Sequence, residues 1–486
     1  MDSKLTLIKN TSFVVAYDGS GHVLIKNGEV AFKGNEIVYV GKSYPANAER
    51  PETTVDAENG LVIPGFVNIH CHIYGSPLER GFFEDTSNPW FYMSGLYDSL
   101  QIRTVPPEEQ MRFFRFSTHE ALRKGSTTVF DMGMGSEEMI RAMAETGVRA
   151  YVAPASVCAS WSTDNGHAVK YNWDVDRGYA RLENTIRTFE KFNGSYDDRV
   201  RIALYPGQVD TCTPEFFRDV RKAADETGMR VQVHAAQAIV EYQQIVERYG
   251  TTPAAFLDSC GLSGPDVMYG HYIFPSRHTV NAFQLEGELE LIASTGTTVA
   301  HCPWVFCKDG TVMESVDRYI KMGINVGLGT DSTPQDMLAE MKLAAVCGKI
   351  AERTPLKATA ATVFNAATLG GAKALGRDDL GRLARGAKAD IVIVDTNNSQ
   401  MCPLRDPIKA LVYSGMSSDF AKIFVDGELL VENGRLLKEP DEASLRRDLQ
   451  QSAEAMYARV KDKHWNGKSD TELAPMSFPV VDSDSF

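Results

Sequence analysis

Five of the ten histidines stand where predicted β-strands end, and imidazole is well suited to binding a divalent metal ion or moving a proton near neutral pH. They are His70, His72, His234, His271 and His301. His70 and His72 are two residues apart, so in a strand both side chains face the same side. An H-x-H pair is equally typical of two hydrogen-bonded structural histidines, and its position in the fold must decide between these interpretations.

One carboxylate has a comparable position. Asp331 follows the small-residue run VGLGT, which allows close backbone approach, at the end of another predicted strand. Taken alone, such an aspartate is more often a helix N-cap. With His70, His72 and His234 it makes three imidazoles and one carboxylate, a ligand set suited to a divalent metal with positions left for water.

The segments that position these residues alternate between strand-like and helical patterns over about 300 residues. Eight apolar runs are predicted strands: FVNIHCH, TTVFDM, GVRAYVAPAS, VRIALYPGQV, MRVQVHAA, DVMYGHY, TTVAHC and INVGLGTD. This alternation predicts an α/β fold with parallel strands closed as a (β/α)8 TIM barrel. The active site of such a barrel forms at the carboxyl ends of its strands, where the histidines fall.

Short β-rich runs with Gly, Asn and Asp turns flank the barrel on both sides. Because the two ends share this pattern, they are expected to pair into one composite β-sandwich. The predicted division is residues 1–64 for the first part of the sandwich, 65–383 for the metal-dependent barrel, 384–439 for the second part and 440–486 for a C-terminal helix and tail.

The composition restricts the class of partner. A formal net charge of -14 argues against a nucleic-acid backbone or an anionic membrane as the main partner. No apolar run has the length of a signal peptide or a membrane span. The eight cysteines are far apart and form no CxxC pair, which suits a reducing compartment. These features predict a cytoplasmic protein and say little about a small substrate.

Motifs spread over nearly the whole chain resemble the amidohydrolase superfamily, in its cytosine-deaminase and triazine-hydrolase (chlorohydrolase) branch. They are GLVIPGFVNIHCH, ALRKGSTTVFDM, VHAAQ, GHYIF, TVAHCPW, GLGTDS and GRLARGAKADIVIVD. The resemblance implies hydrolytic attack on an electrophilic carbon and a homo-oligomeric state. It also implies a divalent metal, zinc or iron in relatives. No strand-end lysine suggests a carbamylated bridge, so one metal is preferred over two.

The resemblance also implies roles for individual residues. His70, His72, His234 and Asp331 would bind the metal ion, which lowers the pKa of its water from about 15.7 toward about 7. Asp331 would also take the water proton and deliver it to a leaving nitrogen. His271 would hydrogen-bond the developing oxyanion.

Gln237 departs from the pattern of the deaminases that the chain resembles. Those enzymes typically place a glutamate three residues after the histidine of the fifth strand, where it carries a proton to a ring nitrogen. A glutamine amide orients water or binds a carbonyl group but has no titratable proton in the catalytic range. Three explanations stay open: a substrate that needs no such protonation, another acid such as Glu241, or an inactivating change. A natural glutamine is favoured, and Glu241 is otherwise expected on a solvated helix face.

Aromatic residues are expected to form the walls of the pocket. The long loop after the first barrel strand contains Trp90, and Trp304 and Phe306 follow the seventh strand. They suit a planar ring, with ordinary packing or a subunit contact as the alternative. The resemblance favours substrate binding for His301 over a core role. The WVFCKDG segment replaces the Ser-Asn of relatives, which puts their substrate contacts in doubt for this chain.

The leading hypothesis is a metal-dependent hydrolase that cleaves a C–N bond, by deamination or by amide or amine hydrolysis, in a small N-heterocyclic compound. The alternative within enzymes is displacement of another leaving group, such as halide, from an N-heterocycle. A noncatalytic scaffolding homologue is the alternative from a different class. The four retained metal-ligand candidates argue against it, because a scaffold needs no water-activating metal.

Overall fold

The computed structural model describes residues 4–481 apart from 75, 87, 89–95, 100, 101 and 104, so Trp90 lies outside the described residues. The described strands, in chain order, are β1 (Leu5–Lys9), β2 (Phe13–Tyr17), β3 (His22–Lys26), β4 (Glu29–Lys33), β5 (Glu36–Gly41), β6 (Thr53–Asp56), β7 (Leu61–Pro64), β8 (Phe66–Cys71), β9 (Ser126–Gly133), β10 (Arg149–Pro154), β11 (Ala159–Ser162), β12 (Lys170–Trp173), β13 (Val200–Ile202), β14 (Val231–Ala235), β15 (Val267–His271), β16 (Thr298–His301), β17 (Asn325–Leu328), β18 (Ile391–Val394), β19 (Phe420–Val425), β20 (Glu428–Glu432) and β21 (Arg435–Leu436).

The described α-helices, in chain order, are α1 (Leu96–Ser99), α2 (Pro107–Arg123), α3 (Glu137–Thr146), α4 (Val175–Phe192), α5 (Ser195–Asp198), α6 (Pro214–Thr227), α7 (Ile239–Tyr249), α8 (Pro253–Ser259), α9 (Glu288–Thr295), α10 (Pro303–Cys307), α11 (Val316–Lys321), α12 (Met337–Glu352), α13 (Ala360–Asn365), α14 (Gly371–Ala374), α15 (Pro407–Tyr413), α16 (Glu442–Ala458), α17 (Val460–Lys463) and α18 (Asp470–Leu473). Short 3-10 turns lie at Ser76–Glu79 and Ser417–Asp419, and Ala366–Gly370 is a π-helical turn.

Eight parallel strands form two four-stranded sheets, in the orders β13-β10-β9-β8 and β14-β15-β16-β17. Isolated backbone bridges connect the two sheets at both junctions: Leu204 with Val231 and Gln208 with His234 at one, and Cys71 with Asp331 at the other. Most residues of these strands are buried, which explains their nearly continuous apolar sequences. The eight strands coincide with the eight predicted runs, so the predicted alternation of strands and helices is confirmed.

The two ends of the chain meet in one sheet. Strand β18 pairs antiparallel with β7, from Ile391 opposite Pro64 to Val394 opposite Leu61, within the seven-stranded order β21-β20-β19-β18-β7-β2-β3. A second sheet has the order β5-β4-β1-β6. Apolar side chains from both sheets share one buried cluster. The predicted pairing between the N-terminal and C-terminal segments is therefore confirmed.

The remaining expectations concern the tail, the cysteines and membranes. The C-terminal segment forms helix α16, as its apolar period predicts, and this helix packs against α2. Five of the eight cysteines are buried and all eight are free thiols. Among the described helices, none has the length and apolar character needed to span a membrane.

Candidate active site

The strand-end histidines converge in space. His70 lies near the end of β8, His72 just beyond it, and His234 and His271 at the ends of β14 and β15. The His70 ring centroid is 5.3 Å from that of His72, 4.9 Å from that of His234 and 4.4 Å from that of His271. His70 and His72 therefore lie in one cluster with His234 and His271.

Hydrogen bonds at Nδ1 orient three of these rings. His72 Nδ1 lies 2.6 Å from the Met132 carbonyl oxygen, and His234 Nδ1 lies 3.2 Å from that of Gly207. His70 Nδ1 contacts Oε1 of Gln232. Since each of these partners is an acceptor, each Nδ1 carries the proton and leaves an Nε2 lone pair. Histidine ligands in metal sites are oriented in this way by their second nitrogen.

The Nε2 atoms fit a shared cation. His72 Nε2 and His234 Nε2 are 3.3 Å apart, and two lone pairs do not hydrogen-bond to each other. His70 Nε2 is buried and has no hydrogen-bond partner among the described residues. The donor atoms of these three histidines lie within 4.8 Å of one another. Burial lowers the pKa of His70 and His234 well below the usual value, so both are neutral, as ligands must be.

Asp331 completes the cluster. Its Oδ1 lies 3.7 Å from His72 Nε2 and its Oδ2 lies 3.5 Å from His271 Nε2. Burial raises the pKa of its carboxyl group above the usual value. The helix N-cap alternative is wrong for Asp331, because Asp336 caps α12 instead, accepting from the N–H groups of Leu338 and Ala339.

Backbone geometry brings Asp331 against β8. The Asp331 N–H donates to the His70 carbonyl at 2.9 Å, and the His72 N–H donates to the Asp331 carbonyl at 2.8 Å. Asp331 has φ 54, a left-handed conformation that non-glycine residues adopt mainly where their surroundings enforce it. A Cβ at Gly329 would collide with His70, and one at Gly270 would lie 2.9 Å from its Cε1. The small-residue run before Asp331 thus permits the predicted close approach.

A cavity of about 380 Å³ opens over the cluster and is lined by His72, His234, His271 and Asp331. Phe306 also lines it and packs edge-on against His271, with 4.6 Å between ring centroids. The described cavity lining does not include His301 or Trp304. His301 is buried, and burial lowers its pKa to about 4, while the backbone N–H of Trp304 donates to Glu340. A substrate contact for these two residues stays a prediction from the sequence.

Gln237 lines the same cavity, and Glu241 lies behind it. The expectation of a solvated Glu241 is wrong, because its side chain is fully buried. Its carboxylate accepts hydrogen bonds from the backbone N–H groups of Ala236 and Gln237. Burial raises its pKa well above the usual value. Glu241 therefore fixes the turn that carries Gln237, and it is absent from the described lining of the cavity.

Several residues near the cluster were not identified from the sequence. Gln232 precedes His234 by two residues, so the two-residue periodicity of β14 would have placed both on one face. Gln208 and Arg103 line the cavity from loops. Gln208 follows the fourth of the predicted barrel strands, and the loops after such strands are expected to form the active site. The lone Arg103 carried no sequence signal.

The sequence profile of the amidohydrolase family matches residues 61–430, and the chain belongs to this family. It is a metal-dependent hydrolase that acts on non-peptide C–N bonds. The 5-methylthioadenosine/S-adenosylhomocysteine deaminase of Thermococcus sibiricus (strain DSM 12597 / MM 739) is 31% identical over 434 residues, 84% of this chain and 94% of that protein. The 5'-deoxyadenosine deaminase of Methanosarcina barkeri (strain Fusaro / DSM 804) is 29% identical over 446 residues, 90% of this chain and 95% of that protein.

Two solved structures share the fold. One is an adenosine deaminase from Xanthomonas campestris with bound zinc, with a TM-score of 0.79, 24% identity, and coverage of 93% of this chain and 98% of that chain. The other is the atrazine chlorohydrolase of Arthrobacter aurescens TC1 complexed with zinc, with a TM-score of 0.76, 23% identity, and coverage of 92% and 100%. The fold of this chain is therefore an α/β fold of the TIM-barrel type.

Proposed function

We propose that this protein is an aminohydrolase that releases ammonia or a small amine from an N-heterocyclic compound. The observation that carries the proposal is the cluster of His70, His72 and His234, whose possible ligand atoms lie within 4.8 Å of one another, with the Asp331 carboxylate 3.7 Å from His72 Nε2 at one side of the cavity. The named deaminase relatives and the apolar Phe306 wall both support a planar, nitrogen-containing substrate.

In this proposal His70, His72, His234 and Asp331 hold one divalent ion, for which zinc is the first choice because the solved structures contain it. Such an ion makes water nucleophilic at neutral pH. The remaining chemistry belongs to the protein. The buried Asp331 carboxylate, whose pKa is raised, takes a proton from the attacking water and returns it to the departing nitrogen.

His271 has a separate role in this proposal. Its Nε2 lies 3.5 Å from Asp331, and its Nδ1 has no hydrogen-bond partner among the described residues. Burial lowers its pKa well below the usual value, so it is a neutral donor. It is placed to hydrogen-bond the oxygen that develops negative charge during attack. Gln237 would orient the substrate without transferring a proton.

The proposal extends to architecture. The three isolated bridges between the parallel sheets support closure as a (β/α)8 barrel, and the apolar cluster shared by the two other sheets supports a composite sandwich. The division into residues 1–64, 65–383, 384–439 and 440–486 is retained on this basis. A cytoplasmic location and a homo-oligomeric state stay predictions from the sequence.

Elemental analysis combined with an ammonia-release screen tests the proposal. The purified protein is expected to hold about one zinc per chain and to release ammonia from at least one pyrimidine, purine, pterin or triazine. His234→Ala should lose both metal and turnover, whereas His167→Ala, which alters an exposed histidine, should keep both. Absence of metal even after reconstitution would overturn the proposal.

A further inference from the structure

Two thiols from neighbouring helices meet beside the cavity wall. Cys307 is the last residue of α10, and Cys347 lies in α12. The Cys307 S–H donates to the Cys347 sulfur, and the two Sγ atoms are 3.5 Å apart. Both cysteines are free thiols, and both are partly exposed. A small reagent in solution can therefore reach two sulfur atoms that already contact each other.

The other six cysteines, all within the described residues, lack this combination of contact and access. Five are buried, and two of these, Cys158 and Cys212, contact each other at 0% and 1% exposure. Cys402 is exposed, but its thiol donates to the Thr396 carbonyl at 3.3 Å rather than to another cysteine. Cys307 and Cys347 are therefore the pair in which closeness and access occur together.

The contact between the two thiols makes their acidities unequal. The hydrogen bond from Cys307 lowers the pKa of Cys347 to about 7, although burial acts in the opposite direction. The same hydrogen bond, together with burial, raises the pKa of Cys307. Since the thiolate is the form that reacts with oxidants, Cys347 is the first of the two to react and Cys307 is the second.

Only a small movement separates the two thiols from a covalent bond. A disulfide has an S–S distance of about 2.05 Å, so the sulfur atoms must approach each other by about 1.5 Å. Cys307 ends a helix of five residues, and the exposed Asp309 and Gly310 follow soon after it. Side-chain rotation with a slight shift of this short helix end is sufficient for that approach.

We propose that Cys307 and Cys347 are a redox modification site, at which hydrogen peroxide forms a disulfide that thiol reductants reverse. The Cys347 thiolate attacks one peroxide oxygen, the O–O bond breaks, and the leaving hydroxide takes up the proton that Cys347 had released. The Cys307 sulfur then attacks the sulfenic sulfur of Cys347, and the S–O bond breaks as the Cys307 proton leaves with the hydroxide as a second water. The two thiols lose two electrons, which reduce the peroxide.

The disulfide ties α10 to α12 at a second point. The backbone N–H of Trp304, near the start of α10, already donates to Glu340 of α12. Cys307 lies at the other end of α10, and Phe306 beside it packs against His271 in the cavity wall. Oxidation therefore fixes both ends of the helix that carries this ring.

Thiol counting tests the modification. The purified protein is treated with a small molar excess of hydrogen peroxide, the remaining thiols are alkylated in denaturant, and intact mass and tryptic peptides are measured. We expect two of the eight thiols to be lost, a linked pair of peptides that contains Cys307 and Cys347, and all eight thiols to return after dithiothreitol. The oxidised protein should unfold at a Tm higher by about 2 °C or more, because the cross-link restricts the unfolded chain.

Two variants connect these changes to the pair. Cys347→Ser should keep all of its remaining thiols and its Tm under the same treatment, whereas Cys402→Ser, which removes the exposed cysteine, should still lose two thiols. The peptide map of the wild type decides the question if Cys347→Ser folds poorly. Retention of all eight thiols, a linkage between other cysteines, or a disulfide without a rise in Tm would overturn the inference. These readouts do not depend on the reaction that the cavity catalyses.

Discussion

In the proposed mechanism, Asp331 is the side chain that both binds the metal ion and transfers the proton. Its two carboxylate oxygens face different histidines, His72 and His271. Its backbone N–H donates to the His70 carbonyl, and its backbone carbonyl accepts from the His72 N–H. No other described carboxylate combines these contacts with a place in the cavity wall. The proposed mechanism therefore depends more on the Asp331 carboxylate than on any other single side chain.

Asp331→Asn keeps the size of the side chain but removes the base and the charge. We expect kcat/KM for any hydrolysed compound to fall by at least about a thousandfold. Asp309→Asn is the matched control, because Asp309 lines the same cavity without belonging to the histidine cluster. Steady-state kinetics and metal content are measured for both. A fall of less than tenfold in Asp331→Asn would remove Asp331 from the mechanism.

Elements around the barrel hold the cavity in shape. Helix α10 places Phe306 against His271. Its N-terminal end is held by Glu340 of α12, whose carboxylate accepts a hydrogen bond from the backbone N–H of Trp304 at 2.9 Å. Glu340 is fully buried. The link between these two helices therefore sets the position of one cavity wall.

Replacing the anchor should change substrate affinity more than chemistry. We expect Glu340→Leu to raise KM about fivefold and to lower Tm, because the Trp304 N–H loses its acceptor. Glu340→Gln keeps an acceptor oxygen and should stay close to the wild type in both properties. Kinetics and thermal unfolding of the two variants are compared. Equal KM values in both would show that α10 needs no anchor from α12.

The hairpin formed by β11 and β12 is joined to the loop after β13 by a partly buried hydrogen bond. The Tyr171 hydroxyl donates to Asp210 Oδ2 at 2.6 Å, and Asp210 is fully buried. Burial raises the pKa of Asp210 to about 6 from an ordinary value of 3.8. The unfolded chain therefore releases this proton at a lower pH than the folded chain does.

A pH-dependent contribution to stability follows from this pKa. As the pH rises from about 4 to about 6, this group should lower the free energy of unfolding by up to about 3 kcal/mol, with no further loss above pH 6. Urea unfolding across this range should show the loss in the wild type but not in Asp210→Asn. The exposed Tyr179–Asp219 pair provides the control variant Asp219→Asn. Identical pH profiles for wild type and Asp210→Asn would contradict the prediction.

On the scale of the whole molecule, a buried arginine joins the parallel strands to the sheet built from both chain ends. Arg149 begins β10, is fully buried, and pairs with Asp390 at 3.2 Å and with Asp426 at 2.6 Å. Asp390 precedes β18 and Asp426 follows β19. This ion-pair network lies where the two parts of the fold meet.

Removing the arginine should uncouple the two parts. Arg149→Ala leaves two buried carboxylates without their cation, and we expect it to lower the free energy of unfolding by about 3–5 kcal/mol. Arg187→Ala removes a cation from an exposed pair and should change stability by less than about 1 kcal/mol. Denaturant unfolding measures both. A cost below about 1 kcal/mol for Arg149→Ala would show that packing alone joins the two parts.

Much of this molecule followed from local sequence patterns. The eight parallel strands, the pairing of the chain ends and the C-terminal helix depend on apolar periodicity and turn residues, which act over a few neighbouring positions. The histidines were identifiable because strand ends and two-residue spacing restrict where a side chain is directed. These features are the ones that a single sequence determines.

The burial and hydrogen-bond partners of individual side chains were decided only by the tertiary structure. The sequence pattern predicts a solvated helix residue at Glu241. In the structure its side chain is buried and accepts a hydrogen bond from the backbone N–H of Ala236, in the turn before its own helix. Gln208 and Gln237 meet although 29 positions separate them. The sequence determined the candidate metal ligands and the elements on which they lie. The folded chain decided which of them share hydrogen bonds, because those contacts depend on how separate elements pack in space.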